Sequence, residues 1–312
     1  MSTPPLLWGI DLGGTKIEGV IMDRARPGLP LHRLRVETAA SLGYEHIISQ
    51  ITSLVGSLER SSGLSRPARI GIGTPGVIEP ATGRMKNSNT TCLNGRSLRD
   101  DLEKALGCGV AMANDANCFA LAEARWGAGR GAGVVLGLIL GTGVGGGIVV
   151  FERLLEGLHG IAGEWGHNPL RGESHPCYCG RTGCIETVIS GPALQRFYHS
   201  RGGEALGLPQ IAERARQGDG LAIETLARLT AKFGEAIAAV VNILDPDVIV
   251  IGGGVGNLPV LYGDETRGAI LQHLFNAELH TQILAPQLGD SAGVFGAALL
   301  VDQLPLVRAA NG

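Results

Sequence analysis

Residues 6–22 read LLWGIDLGGTKIEGVIM, and this stretch decides the fold. A short apolar run ends at the carboxylate of Asp11, and a second apolar run, Ile17–Met22, follows a turn that contains Gly13 and Gly14. Two runs of strand length around a glycine turn predict a β-hairpin. Because glycine has no Cβ, the backbone of such a turn can approach the oxygens of a phosphate. A lone glycine turn also fits an ordinary hairpin, so the motif needs support from the rest of the chain.

The same pattern recurs in the middle of the sequence. The apolar run Leu136–Leu140 meets the glycine-rich sequence GTGVGG at residues 141–146, and a second apolar run follows at 148–150. A third glycine run, Gly252–Gly254, comes directly after the predicted buried strand Val248–Ile251. A repeated strand-turn-strand predicts two related domains that each offer one glycine turn to a shared ligand. Three glycine runs that follow strands favour a nucleotide as that ligand.

Strands and helices alternate along the chain, which predicts an α/β fold. A strand is predicted at Ile70–Thr74, and helices are predicted at 97–106, 115–126 and 221–244 from their capping residues and apolar spacing. The 312 residues exceed the usual size of a single hydrophobic core, so we expect two lobes.

The composition argues against nucleic-acid and membrane partners. The formal charge is -3 and charged residues make up 18% of the chain, so the basic surface typical of nucleic-acid binding is not expected. The stretch Gly133–Phe151 is uncharged and long enough to suggest a membrane span, but its glycines and β-branched residues favour strands. The N-terminal residues lack the basic and apolar regions of a secretory signal, so we expect a cytoplasmic protein.

Three of the six cysteines, Cys177, Cys179 and Cys184, lie close together in the sequence CYCGRTGC. In an intracellular chain this spacing favours metal binding by thiolates over disulfides. Zinc takes four tetrahedral ligands, so a histidine is expected to complete the set. Spacing alone does not choose among His159, His167 and His175.

The motifs resemble those of the ROK family of sugar kinases and repressors, within the ATPase superfamily that includes actin, hexokinase and the heat-shock chaperone ATPases. Asp11–Lys16 resembles the first phosphate loop, Leu140–Gly146 the second, and Gly252–Gly254 the adenosine loop. The resemblance implies a two-lobed actin/hexokinase-like ATPase fold with duplicated ribonuclease H-like domains. It also implies an N-terminal lobe of residues 1–118 plus about 293–312 and a C-terminal lobe of residues 119–292, with a homodimer as the assembly.

By the same resemblance, the phosphate and adenosine loops bind ATP together with Mg²⁺. Asp11 is expected to place the Mg²⁺ of MgATP through water, while Thr15, Thr142 and Gly143 contact phosphates. The full set of expected nucleotide-binding residues is Asp11, Gly13, Gly14, Thr15, Lys16, Thr142, Gly143, Gly252, Gly253 and Gly254.

The cysteine cluster is similar to the ROK zinc signature, because Glu164-Trp165-Gly166-His167 precedes it and Glu186 follows it. This likeness implies that His167 is the fourth ligand of a zinc ion. Four protein ligands leave no open position, so the zinc is expected to be structural. The resemblance further implies that Glu164, His167 and Glu186 face the sugar, with the second imidazole nitrogen of His167 bonded to a sugar hydroxyl.

The pair Asn114-Asp115 stands at the start of a predicted helix, where an aspartate can simply cap free amides. In the ROK kinases that this segment resembles, the aspartate is the catalytic base and the asparagine binds a sugar hydroxyl. The same likeness places Gly76 and Asn89 in the sugar pocket. Asn89 also has an ordinary explanation as a turn residue within the sequence KNSNT.

Three segments near these positions, residues 86–95, 162–170 and 176–180, are most similar to the fructokinase or mannokinase branch of the family. The expected reaction is therefore transfer of the γ-phosphate of MgATP to the 6-hydroxyl of a hexose, with fructose preferred. Glucose, mannose and N-acetylhexosamines stay open as alternatives. A sugar-sensing regulator without catalysis is disfavoured, because ten residues before Asp11 leave no room for a DNA-binding domain.

Overall fold

The computed structural model describes residues 5–303. Residues 1–4 and 304–312, both assigned to the predicted N-terminal lobe, lie outside the described residues. Two compact units can be distinguished: the first contains the chain up to residue 130, residues 152–162 and the chain from 288, and the second contains 131–151 and 163–287. The lobe boundary predicted at residue 118 stays a prediction.

The strands of the described chain are β1 (Leu6–Leu12), β2 (Lys16–Asp23), β3 (Pro30–Glu37), β4 (Arg69–Thr74), β5 (Val77–Ile78), β6 (Met85–Lys86), β7 (Gly109–Asn114), β8 (Val134–Leu140), β9 (Val144–Val150), β10 (Arg153–Leu154), β11 (Val248–Gly252) and β12 (Gln282–Leu284). The helices are α1 (Tyr44–Ser62), α2 (Leu98–Leu106), α3 (Asp115–Trp126), α4 (Glu186–Ile189), α5 (Gly191–Ser200), α6 (Leu208–Arg216), α7 (Gly220–Leu244), α8 (Gly253–Gly256), α9 (Asp264–Leu271) and α10 (Ala292–Leu299).

The first unit is built on a five-stranded sheet in the order β3-β2-β1-β4-β7. The hairpin β1–β2 is antiparallel, whereas β4 and β7 run parallel to β1. Asp11 is paired with Gly73, and Thr74 is paired with Asn114, so the carboxyl ends of three parallel strands meet at one edge of the sheet. In α/β proteins this edge is where ligands bind.

Helix α10 packs against β1 and β4 of this sheet at very short range. A Cβ added to Gly71 would collide with the carbonyl of Ala297, and one added to Gly9 would lie 2.6 Å from the backbone nitrogen of Ala298. These two strand glycines therefore allow the helix backbone to approach the sheet directly. The approach brings the start of α10 beside Asp11, because a Cβ on Gly293 would lie 3.4 Å from Asp11 Oδ2.

The sheet of the second unit repeats this topology. Its strands β9-β8-β11-β12 follow the order of β2-β1-β4-β7, with an antiparallel hairpin first and two parallel strands after it. The long helix α7 buries Leu229, Phe233 and Ile237 in a core that also contains Leu136 of β8 and Ile249 of β11. The predicted duplication of the strand-turn-strand pattern and the predicted α/β class are confirmed.

Several sequence-predicted elements form where expected. Helix α3 spans the predicted residues 115–126, and α7 begins one residue earlier than predicted, with Asp219 as its N-cap. Ser97 precedes α2, although its side chain makes no capping hydrogen bond. The uncharged stretch Gly133–Phe151 forms the hairpin β8–β9. Within residues 5–303, no helix has both the length and the apolar character that crossing a membrane requires.

Candidate active site

Asp11 lies near the end of β1, half-buried at the edge where β4 and β7 also end. A Cβ on its neighbour Gly73 would stand 3.3 Å from Asp11 Oδ1 and 3.2 Å from Cys118 Sγ, so the carboxylate is closely packed there. Burial, followed by the negative charges of Asp115 and Glu18, raises the pKa of Asp11 to about 6 against a smaller opposing effect of Lys16. Two acids that influence each other at a sheet edge are typical of a functional site.

Asn114 and Asp115 lie at the junction of β7 and α3, and their side chains accept different hydrogen bonds. The N-cap of α3 is Asn114, whose Oδ1 accepts a hydrogen bond of 2.8 Å from the backbone N–H of Asn117. Asp115, the first residue of the helix, is exposed to solvent, and its Oδ1 accepts from the backbone N–H of Ala116. Although Asp115 is accessible to solvent, the protein atoms around its carboxyl group desolvate the charged form and raise its pKa, while its backbone hydrogen bonds lower it. The cap that an aspartate could provide is thus made by the asparagine, which leaves the Asp115 carboxylate at the surface.

The first glycine turn is held by the segment that follows β3. Thr38 Oγ1 donates to the carbonyl of Gly13 at 2.6 Å, and the Thr38 N–H donates to the carbonyl of Thr15 at 2.9 Å. Gly14, Thr15 and Lys16 are exposed. The turn therefore has a fixed backbone and a face open to solvent.

Gly76 and Asn89 belong to neighbouring segments of the first unit. Gly76 has φ 84°, and a Cβ there would lie 2.8 Å from the backbone of Ser88, the residue before Asn89. Asn94 holds the Ser88 segment, because its Oδ1 accepts from the Ser88 N–H and its Nδ2 donates to the Ser88 carbonyl, both at 2.9 Å. The side chain of Asn89 itself is exposed. The backbone bends at Asn89 and presents its side chain to solvent.

In the second unit, the second glycine turn lies next to the third glycine run. A Cβ on Gly141 would be 4.0 Å from the backbone nitrogen of Gly254, and one on Gly253, with φ 85°, would collide with the backbone of Leu140. Only glycine fits at Gly253, because its backbone is left-handed and its Cα touches a strand. The structure thus brings together two of the predicted nucleotide-binding segments, with Thr142 exposed.

Glu186 contacts the same turn from the start of α4. Its Oε2 accepts a hydrogen bond of 3.0 Å from the backbone N–H of Val144, and a Cβ on Gly143 would lie only 2.6 Å from that oxygen. Gly143 therefore leaves room for the carboxylate. Glu186 joins the glycine turn to the segment that carries the cysteine cluster.

Glu164 directly precedes a short 3-10 helix, Trp165–His167, that ends at His167 and is anchored on β9. The buried Trp165 donates from Nε1 to the carbonyl of Gly145 at 3.2 Å and meets the ring of Phe233 edge-on. The held Trp165 side chain therefore fixes the backbone between Glu164 and His167. This anchor explains why the stretch can hold Glu164 and His167 in defined directions.

The three cysteines that the spacing predicts as ligands and the histidine that the family resemblance implies lie together, with all four ligand atoms of His167, Cys177, Cys179 and Cys184 within 4.8 Å of one another. The distance is 3.6 Å from His167 Nδ1 to Cys177 Sγ and also 3.6 Å from Cys179 Sγ to Cys184 Sγ. Ligands about 2.0 to 2.3 Å from a tetrahedral zinc ion are separated by roughly 3.5 Å. The donor set and its dimensions therefore fit a tetrahedral zinc site, with His167, and not His159 or His175, as its nitrogen ligand.

One contact at this cluster was not expected. The Tyr178 hydroxyl lies 3.0 Å from His167 Nε2, and the two rings are edge-to-face at 5.2 Å. Although the Tyr178 ring is largely exposed, protein atoms around its hydroxyl, followed by the charges of Glu186 and Glu164, raise the pKa of Tyr178 to about 12. His167 Nε2, the nitrogen expected to bond a sugar hydroxyl, thus already has the Tyr178 hydroxyl within hydrogen-bond distance. A signal was available in the sequence, since Tyr178 stands between two cysteines of the cluster.

Comparison with known proteins places these motifs in a family. The family model described as ROK family matches residues 7–304. The N-acetyl-D-glucosamine kinase of Aliivibrio salmonicida is 34% identical over 305 residues, which cover 95% of this chain and 99% of that protein.

Two solved structures of the family are also similar. The ROK hexokinase from Thermus thermophilus has a TM-score of 0.83 at 33% identity, with 95% of this chain and 97% of that chain covered. The ROK family glucokinase from Streptomyces griseus, solved in complex with glucose and AMPPNP, has a TM-score of 0.76 at 32% identity, with 95% and 98% covered. The predicted actin/hexokinase-like ATPase fold is confirmed, and the chain belongs to the ROK family.

Proposed function

We propose that this protein is an ATP-dependent hexose kinase that transfers the γ-phosphate of MgATP to the 6-hydroxyl of the sugar. The observation that carries the proposal is the edge of the first sheet, where Asp11, Asn114 and Asp115 stand at the ends of parallel strands. Family membership supports it, because the relatives above are named as sugar kinases. A regulator that only senses sugar would have no need of the surface carboxylate of Asp115.

In this proposal Asp115 is the catalytic base and Asn114 binds a hydroxyl of the sugar. A carboxylate with a raised pKa is a stronger base, so Asp115 is suited to orient the 6-hydroxyl and to take its proton as the bond to phosphorus forms. The capping bond of Asn114 uses only its Oδ1, so the Nδ2 group can donate to a sugar hydroxyl. Gly76 and Asn89 are assigned to the same sugar.

The glycine segments are assigned to the nucleotide. The exposed face of the first turn offers Gly14, Thr15 and Lys16 to phosphate oxygens, and the second turn offers Thr142 and Gly143. Gly252–Gly254 is assigned to the adenosine. Bound Mg²⁺ would neutralise phosphate charge, and Asp11 would help to place it through water. Most of the rate is expected from positioning and charge neutralisation.

The cluster of His167, Cys177, Cys179 and Cys184 is assigned to a structural zinc ion. Zinc would tie the cysteine segment to the 3-10 helix that carries His167, and so fix Glu164 and Glu186 toward the sugar. A cytoplasmic homodimer is part of the same family-based proposal.

The sugar we propose has the glucose configuration, either glucose or its 2-acetamido derivative, N-acetyl-D-glucosamine. The names of the relatives support this choice. Fructose, which the sequence segments favour, has no such support among these relatives and becomes the less favoured substrate.

A coupled assay of ADP release tests the proposal. The rates with MgATP are compared across N-acetyl-D-glucosamine, glucose, mannose and fructose, with a reaction that lacks sugar as the control. We expect sugar-dependent ADP release that is fastest with one of the first two sugars. If ADP release is independent of every sugar tested, the kinase assignment is wrong; if fructose is the fastest substrate, only the sugar assignment is wrong.

A further inference from the structure

The third glycine run has no side chain of its own that could hold it. Gly252 is the last residue of β11, while Gly253 and Gly254 begin the short helix α8 and are both exposed to solvent. Glycine loses more conformational freedom on ordering than any other residue, so a run of three is costly to fix when a ligand binds. Contacts that order the run before a ligand arrives therefore raise the affinity for that ligand.

Tyr262 supplies such a contact. Its Oη donates to the carbonyl oxygen of Gly256 at 2.6 Å and to the carbonyl oxygen of Ile251 at 2.9 Å. A phenol has a single proton, so the two carbonyls share one three-centre hydrogen bond. Ile251 directly precedes the run Gly252–Gly254, and Gly256 is the last residue of α8. One hydroxyl thus joins the chain on both sides of the glycine run.

The partners in this connection are themselves anchored. Ile251 is buried in the second sheet, where it is paired with Leu138 of β8. A Cβ added to Gly256 would lie 2.9 Å from the Ile251 carbonyl oxygen, so glycine lets the two backbones approach closely enough to share one hydroxyl. The phenol is carried by the 3-10 helix Pro259–Tyr262, which the fully buried Leu261 fixes in the core. The glycine run is therefore tied to a rigid part of the second unit.

The position of the run matters because the second glycine turn is its neighbour. A Cβ on Gly141 would be 4.0 Å from the backbone nitrogen of Gly254, and the Gly191 N–H donates to the Gly141 carbonyl at 2.8 Å. The turn assigned to phosphates is thus held by a different contact from the run assigned to adenosine. A shift of the run alone would change the distance between the two segments to which one nucleotide is proposed to bind.

We infer that Tyr262 is a positioning residue for the nucleotide, and that its hydroxyl holds the third glycine run in the shape that receives the adenosine. The inference rests on the proposed function, since it adds a residue to the same nucleotide site. Tyr262 acts through the carbonyls of Ile251 and Gly256 and need not touch the nucleotide itself. Its hydroxyl should therefore affect how tightly ATP and ADP bind, and not the transfer of phosphate once both substrates are bound.

The test is Tyr262→Phe, which removes the hydroxyl and keeps the ring. Because one hydrogen bond is lost, the KM for MgATP and the Kd of ADP, measured by calorimetry, should each rise about 2- to 12-fold. The kcat and the KM for the sugar should stay close to wild type. The matched control is Tyr198→Phe, which removes a buried hydroxyl of the same unit, 3.3 Å from Asp219 Oδ2, and should leave all four quantities unchanged.

Three results would overturn the inference. A merely structural role would lower the melting temperature of Tyr262→Phe and leave the KM for MgATP and the Kd of ADP unchanged. A KM for the sugar that rises in parallel with the KM for MgATP would show a general effect. A lowered kcat at an unchanged KM for MgATP would place the effect at the transferred phosphate and not at the adenosine.

Failure of the proposed function is a different result. A wild type that binds ADP but phosphorylates no sugar removes the kinase assignment, while the Kd of ADP still decides the role of Tyr262. A wild type that does not bind ADP removes both. An active kinase whose nucleotide affinity is indifferent to Tyr262→Phe removes the inference alone.

Discussion

Asp11 and Glu18 are register partners on the antiparallel strands β1 and β2, so their two carboxylates lie on the same face of the sheet. Glu18 is 2% exposed and forms ion pairs with Arg35 at 2.8 Å and with Arg33 at 2.5 Å. Glu18 is therefore held as a charged group close to Asp11. After burial and Asp115, its charge contributes to the raised pKa of Asp11.

This pairing predicts the pH dependence of the reaction. In the proposed function the ionised form of Asp11 places Mg²⁺, so kcat/KM should fall as the pH drops through about 6. In Glu18→Gln the negative neighbour is gone and the two arginines remain, so Asp11 ionises more readily and the acid limb should move to lower pH. The measurement is the pH profile of kcat/KM for both proteins. The exposed Glu37 on β3 provides the control Glu37→Gln, which should leave the pH profile unchanged. An acid limb that does not move in Glu18→Gln would contradict its assignment to Asp11.

Asn114 is predicted to have two separable roles, one in stability and one in sugar binding. Asn114→Ala removes the cap of α3 and should lower the free energy of unfolding by about 1 kcal/mol. Asn114→Asp keeps an oxygen for the Asn117 N–H and should unfold near the wild-type temperature, but it loses the Nδ2 donor and should raise the KM for the sugar. Chemical denaturation and steady-state kinetics measure the two effects. An Asn114→Asp protein with a wild-type sugar KM would remove Asn114 from the sugar site.

The cysteine cluster predicts one zinc ion per chain, which elemental analysis of the purified protein can count. Cys179→Ser replaces an exposed ligand and should lower both the zinc content and the melting temperature, because a structural zinc site contributes to folding. The control is Cys108→Ser, a half-buried cysteine of the first unit that lies outside the cluster. Full zinc occupancy in Cys179→Ser, or no zinc in the wild type, would contradict the assignment.

The sequence was informative where the signal is local. The bounds of α3 follow from the capping residue Asn114 before the helix and from Gly127 directly after it. Each of these signals lies within one turn of the helix end that it marks. The three cysteine ligands follow from spacing in the same way, because they come from one short loop, whereas the choice of His167 came from the family resemblance. The glycine turns were visible because each joins two short apolar runs.

Other features depend on contacts between distant parts of the chain. The close approach of α10 requires Gly71 on β4, and nothing near Gly71 in the sequence indicates which helix will cover it. The edge strand β3 has a period-two alternation, with Leu34 and Val36 between charged residues, which could have identified it. The contact between Tyr178 and His167 depends on a side-chain rotation that residue spacing does not determine.

Asp115 is proposed as the base that takes the proton of the sugar 6-hydroxyl. Asp115→Asn keeps the size and position of the side chain but removes the base, so phosphoryl transfer should slow by about 10²- to 10⁴-fold. Affinities for MgATP and for the sugar should stay near those of the wild type, and Asp100→Asn, an exposed substitution on α2, should have no effect.

The most direct measurement is the single-turnover rate of sugar phosphorylation by Asp115→Asn, with enzyme in excess over MgATP and with glucose or N-acetyl-D-glucosamine as the acceptor. If Asp115 is the base, the rate should lie at least about a hundredfold below that of the wild type, with both substrates still bound. A single-turnover rate equal to that of the wild type would contradict this role.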